Sequence, residues 1–268
     1  MRILLHAVTV FLCSLTPALT AQTVYAEKDL WQTRLVFAND NETEIPLKTR
    51  FNVDFDEKNL YVTVVCTDPK ASELQKISSG KKGEWPLCDS VEIFLDPGRT
   101  CGKYFQIATG VNGTMYDSRC KKEWITEWSA GMTFSKDAWQ VRFTLPFSDP
   151  GMVHPKIGDI WGFNLCRNVK LSGKYFSTWA QVGSVFNRPA LFGKLIFGSP
   201  EAAEKAMNAK VSLELDQLEK ELRTKGGYEF FAPKIQALHR KCSELDIRDI
   251  RDEWIVIEAI NHSKIGRN

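Results

Sequence analysis

From about Trp31 to Phe197 the chain runs as short alternating segments, each closed by turn-forming residues, and this limits the possible folds more than any other feature. Thr49 to Phe55 and Asn59 to Cys66 are joined by Asp56-Glu-Lys-Asn59. Later segments are separated by Asp96-Pro-Gly98, Asn112-Gly113, Ser135-Lys-Asp137 and Ile157-Gly-Asp159. Segments this short with a period of two are strands, because side chains on a strand alternate between faces. The spacing predicts a mainly β protein: an antiparallel β-sandwich with immunoglobulin-like layering, or an opened barrel. Tryptophan and phenylalanine are plentiful enough to fill its core.

The most specific stretch is Trp85-Pro-Leu-Cys-Asp89-Ser-Val-Glu92-Ile-Phe-Leu-Asp96-Pro-Gly98. Alternation sends Val91, Ile93 and Leu95 to the core, so Ser90 and Glu92 lie on the other face. Other segments repeat the pattern. Phe105 and Ile107 leave Gln106 opposite, Trp139, Val141, Phe143 and Leu145 leave Arg142, and Trp161, Phe163 and Leu165 leave Asn164. If these strands share a sheet, Glu92, Gln106, Arg142 and Asn164 form a polar second face, and the plain reading of such a face is that it meets water. Trp85, in the loop before Glu92, reads either as loop packing or as an aromatic plate beside a carboxylate.

The 268 residues carry 35 basic and 33 acidic side chains, a formal charge of +2, which gives no reason to expect nucleic acid as a partner. Residues 1–21 have the layout of a signal peptide: Arg2, an apolar run from Ile3 to Leu15, then Pro17-Ala-Leu-Thr-Ala21. A secreted or periplasmic protein is expected. The run is too short for an ordinary membrane span, and no later one is long enough. Of the cysteines that follow, Cys101 and Cys120 flank a predicted hairpin turning at Gly110-Val-Asn-Gly113, which makes them the first candidate disulfide. No Cys-x-x-Cys spacing or histidine cluster suggests zinc.

Composition changes at Ser199-Pro200, a helix cap followed by proline at the first helical position. Met207, Val211, Leu215, Leu218 and Leu222 follow at helical spacing up to Gly226-Gly227. Further stripes carry Ile235, Leu238 and Cys242, then Ile247, Ile250, Trp254 and Ile257. The expected organisation is a signal peptide over 1–21, a β-sandwich over 22–198 and a helical extension over 199–268.

The ordered fragments resemble the family 9 carbohydrate-binding module, within the wider group of DOMON-like β-sandwiches. The resemblance spans roughly Leu30 to Gly198. It rests on Phe55-Asp56-Glu-Lys-Asn-Leu60-Tyr61-Val62, Cys66-Thr-Asp68-Pro69, Asp89-Ser-Val-Glu92-Ile-Phe-Leu-Asp96 and Tyr104-Phe-Gln106-Ile with Asn112-Gly113 and Tyr116-Asp117. It continues through Trp139-Gln-Val-Arg-Phe-Thr-Leu-Pro146-Phe147, Trp161-Gly-Phe-Asn164-Leu-Cys-Arg167-Asn168, Ser177-Thr-Trp179-Ala and Phe192-Gly193-Lys-Leu-Ile-Phe197. The resemblance implies non-catalytic binding of a carbohydrate or glycan between two tryptophans, with polar side chains taking the hydroxyls. By position, Trp85 and Trp179 match the plates and Glu92 the carboxylate. Gln106, Asn164, Arg167 and Asn168 match the polar partners.

Three other chemistries compete. Hydrolysis of a glycoside needs two carboxylates facing across a cleft, and no nucleophile elbow or metal-binding histidine pair is present, so no enzyme is expected. Haem b, bound by some DOMON-like domains, would need an axial pair from Met115, Met132, Met152 and His154 facing one apolar pocket. It is the lesser alternative. Calcium on the acidic Asp54 to Asn59 loop would be a structural ion only, and the simpler reading of that loop is a tight turn; no cofactor is otherwise expected. The remaining alternative is a scaffold that no longer binds sugar and meets a protein partner through the C-terminal helices.

Overall fold

The computed structural model describes residues 22–76, 88–119, 122–123, 127–149, 151–225 and 228–243. Two compact units divide the chain. One holds the chain up to His154 together with Ile160–Leu195, and the other holds Pro155–Asp159 and the chain from Ile196 onward.

The fold is mainly β. The described strands are β1 (Thr23–Ala26), β2 (Val36–Phe37), β3 (Thr49–Phe55), β4 (Asn59–Thr67), β5 (Ser90–Asp96), β6 (Phe105–Gly110), β7 (Met115–Arg119), β8 (Lys122–Glu123), β9 (Ser129–Phe134), β10 (Ala138–Pro146), β11 (Ile160–Val169), β12 (Tyr175–Thr178) and β13 (Gly193–Phe197). They form one sheet in the order β8-β7-β6-β5-β11-β13-β1-β3-β4-β10-β9, with β12 added beside β11 and β2 beside β12. Most pairings are antiparallel, whereas β1 and β3 run parallel. The sheet curls on itself into two facing layers. Phe51 of β3 lies 5.7 Å from Phe163 of β11, ring centre to ring centre, so the two layers meet through these side chains in the core.

Register explains which residues fill that core. Along β10, Trp139, Val141, Phe143 and Leu145 are buried while Arg142 is exposed, and along β4, Leu60, Val62, Val64 and Cys66 are buried. Arg142 therefore does not join the polar face expected from alternation. Its strand lies in the layer opposite β5 and β11, where its guanidinium rests 4.3 Å over the Tyr61 ring and Nη1 donates to Thr63 Oγ1. On β5 every residue is buried, so the face carrying Glu92 is itself covered rather than open to water.

The turn chemistry is local. At the β3–β4 turn, Asp56 Oδ1 accepts the backbone N–H groups of Lys58 and Asn59, and Oδ2 accepts the Tyr61 hydroxyl. Internal donors thus hold this carboxylate within the turn. The β6–β7 hairpin turns at Gly110–Thr114, where Gly113 takes a φ of 80° that glycine adopts without penalty. Cys101 is a free, exposed thiol, while Cys120 lies outside the described residues, as do residues 1–21. Asp96 accepts the N–H groups of Thr100 and Cys101 and so shapes the loop before β6.

A short helix, α1 (Ala71–Leu74), follows β4. In the second unit, α2 (Pro200–Lys225) starts where the sequence predicts, with Ser199 Oγ accepting the Ala202 N–H. Val211, Leu215, Leu218 and Leu222 form its apolar stripe, which buries Ile235 of α3 (Tyr228–Ser243). The stripe from Ile247 to Ile257 lies outside the described residues. No helix among the described residues is long and apolar enough to cross a membrane.

Candidate functional site

Glu92 sits at the centre of β5, between β6 and β11, opposite the small residues Ala108 and Cys166. Gln106 and Asn168 lie diagonally across from it on the two neighbouring strands, close enough for their longer side chains to reach it. Gln106 Nε2 donates to Glu92 Oε2 at 3.0 Å, and Asn168 Nδ2 donates to Glu92 Oε1 at 2.7 Å and to Ser90 Oγ at 2.9 Å. Each carboxylate oxygen is thereby held by a different strand.

Glu92 is only 3% exposed. Burial pushes its carboxyl up to about 7, against the opposing pull of the Asn168 and Gln106 hydrogen bonds and the more distant Lys170 ammonium. Desolvation wins because a carboxylate removed from water loses more than two neutral amide donors return.

Above this trio opens a cleft of about 330 Å³, lined by Glu92, Phe94, Gln106, Asn168, Lys170 and Phe176 with the Ser184–Asn187 loop. Phe176 projects from β12 and is 51% exposed. The edge of the Phe186 ring meets it at 6.2 Å, and Lys170 Nζ lies 4.5 Å from its ring centre. The cleft thus has a polar floor and an exposed aromatic rim, in a size range suited to small molecules.

The residues expected to form the site separate into three groups. Glu92, Gln106 and Asn168 come together at the cleft. Trp85 lies outside the described residues. Trp179, Arg167 and Asn164 are buried elsewhere, away from the residues that line the cleft. Trp179 is 3% exposed and wedged in the core, its ring 5.7 Å from Phe51 and 5.6 Å from Phe163. A ring buried to this extent does not line the cleft.

Arg167 is fully buried on the inward face of β11. Its Nη2 pairs with Asp68 Oδ2 at 3.3 Å and donates to Thr67 O, while Nη1 donates to Leu47 O and Thr49 Oγ1. It ties β11 to the opposite layer. Asn164 is buried within its own hydrogen bonds, its Oδ1 accepting from the Thr178 hydroxyl and the Ala180 N–H. These bonds anchor the chain leaving β12.

Sequence reasoning missed Phe94, Lys170, Phe176 and the loop carrying Phe186. Phe176 had a readable signal, because parity puts it on the same face of β12 as Thr178 and opposite Asn168 of β11, an aromatic residue among polar ones. The Ser184–Asn187 loop had none, since it has no periodicity.

Among the described residues no group of three or more His, Cys, Asp or Glu side chains is placed to hold a metal ion. Of the methionine and histidine candidates for haem, Met152 is buried, whereas His154 is exposed with its ring 5.0 Å from Phe147.

The model of the family described as carbohydrate family 9 binding domain-like matches residues 20–199. The chain belongs to that family. The family 9 region takes in every residue of the cleft. Among solved structures, the chain is similar to a family 9 module from Caldicellulosiruptor kristjanssonii in complex with cellotriose, at 19% identity and a TM-score of 0.48, covering 68% of this chain and 97% of that one. It is similar to a family 9 module from the same organism in complex with glucose, at 19% identity and a TM-score of 0.48, covering 66% and 96%. No curated protein matches the chain in sequence.

Proposed function

We propose that this family 9 chain is an exported, non-catalytic carbohydrate-binding protein that holds a sugar in the cleft over β5, β6 and β11. Phe176 and Phe186 cover the apolar C–H face of the ring, and the Glu92–Gln106–Asn168 floor meets its hydroxyls. One observation carries the reading: a buried carboxylate, braced by an amide from each neighbouring strand, lies beneath an open cleft with an exposed aromatic rim. Rings recognise the slightly positive C–H hydrogens of a sugar, and each aromatic contact contributes on the order of 1 kcal/mol beyond area burial. A site of this kind reaches millimolar to micromolar affinity, roughly −4 to −8 kcal/mol.

Glu92 is the sole acidic side chain among the described residues of the cleft lining. Glycoside hydrolysis usually needs two carboxyl groups about 5 to 10 Å apart, so this lining supports binding rather than cleavage.

Calorimetric titration of the full chain with cellotriose and glucose, widened by a glycan array, tests the proposal. Phe176→Ala should weaken binding about fivefold to tenfold, the loss of about 1 kcal/mol, while leaving the unfolding midpoint nearly unchanged. Failure of every glycan to bind, or binding unaltered by both Phe176→Ala and Gln106→Ala, would overturn it.

A further inference from the structure

The hydrogen bonds at Glu92 are asymmetric, and the asymmetry decides which end of an amide the cleft presents. Asn168 has committed both of its N–H hydrogens, one to Ser90 Oγ and one to Glu92 Oε1, and its Oδ1 is a buried acceptor with no partner among the described residues. Gln106 makes one bond, from Nε2 to Glu92 Oε2, on a half-buried side chain that lines the cleft. An ionised carboxylate accepts only, so it holds both amides with nitrogen inward. A carboxylic acid gains an O–H donor, which an amide turned to face it accepts through its oxygen.

Asn168 is the wrong one to turn. Reversal would replace a single orphaned carbonyl with two orphaned N–H bonds in a buried place, and each unmet donor costs roughly 1–3 kcal/mol. Gln106 loses nothing on turning, because its oxygen then accepts from the acid and its amide nitrogen faces the cleft. The proton therefore belongs on Oε2, the oxygen facing Gln106.

We infer that Gln106 is a specificity-determining residue of the cleft and that Glu92 is its positioning residue, acting on a bound sugar by fixing which end of the Gln106 amide faces it. This rests on the reading of the cleft as a sugar site. With Glu92 ionised, Gln106 presents its carbonyl oxygen and a bound hydroxyl has to donate to it. With Glu92 protonated, it presents N–H and the hydroxyl has to accept.

The raised carboxyl of Glu92, near 7, brings this change into the neutral range. The other titratable groups facing Glu92 among the described residues are Lys170, whose charge favours the ionised form, and Cys166, held well above the ordinary thiol range by burial. Cys166 stays a neutral thiol throughout, which leaves Glu92 as the group that changes.

The test uses the full chain with cellotriose and glucose as probes. Without sugar, the side-chain amide resonances of Gln106 should move with a midpoint near that of the Glu92 carboxyl, about 7, while those of Asn168 stay nearly fixed. Affinity for cellotriose should differ between about pH 8.5 and about pH 5 by up to about tenfold, the value of one reoriented hydrogen bond. Glu92→Gln and Gln106→Met should each flatten that profile. A Gln106 amide indifferent to pH, or a pH profile surviving intact in Gln106→Met, would overturn the inference. If neither probe binds at any pH the sugar reading fails for them, whereas the amide titration of the free chain still decides the role of Gln106.

Discussion

At the residue scale, Glu92 shows how an antiparallel sheet can hold an ionisable group out of water without a counter-charge in contact. Two amides on flanking strands satisfy the carboxylate, yet desolvation still raises its pKa to about 7. The consequence for stability has a definite sign. The folded chain binds this proton more tightly than the unfolded chain, so the stabilisation is complete below the unfolded value and is lost as pH rises through the folded value. A rise from the ordinary carboxyl value to about 7 corresponds to about 3 kcal/mol, lost across that window. Urea unfolding at a series of pH values should show the wild type losing stability relative to Glu92→Gln over that interval. Equal pH slopes for the two proteins would contradict it.

At the scale of elements, β11 carries two unrelated tasks on its two faces. Its even-numbered residues Asn164, Cys166 and Asn168 share the face that holds Asn168 to Glu92, while Trp161, Phe163, Leu165 and Arg167 point into the core. Arg167→Ala should cost about 3–5 kcal/mol, because it leaves Asp68 buried without its partner. Trp179→Ala should cost a similar 3–5 kcal/mol by opening a cavity between Phe51 and Phe163. Denaturant midpoints check both. The folded fraction of each variant should keep the sugar affinity proposed for the wild type, since neither side chain lines the cleft.

For the molecule as a whole, each residue lining the cleft belongs to the first compact unit, and the helix pair α2 and α3 has its own apolar cluster around Leu215 and Ile235. A chain ended after Ser199 keeps β13 and every cleft residue. It should retain the sugar affinity proposed for the full chain within about twofold, a difference below about 0.5 kcal/mol. Loss of binding by a folded, truncated chain would assign the helices a part in recognition. Leu215→Ala, at a fully buried position of α2, should lower stability by about 2–5 kcal/mol in thermal or urea unfolding without changing affinity.

Strand segments, turn positions and the capped helix after Ser199 were legible in the sequence because their causes are local: side-chain alternation, turn residues and a capping hydroxyl. Parity even held the answer for Arg167, which shares its phase with Trp161, Phe163 and Leu165. The family resemblance pointed the other way, and only the facing layer supplied Asp68, Thr49 and two backbone carbonyls to neutralise and satisfy it. The same held for the aromatic rim. Trp179 and Phe176 lie three residues apart, but one turns into the gap between layers and the other out over Asn168. Local sequence thus set which residues alternate, while the curl of the sheet decided which face would be core and which would border a cleft, since that depends on strands brought together from distant parts of the chain.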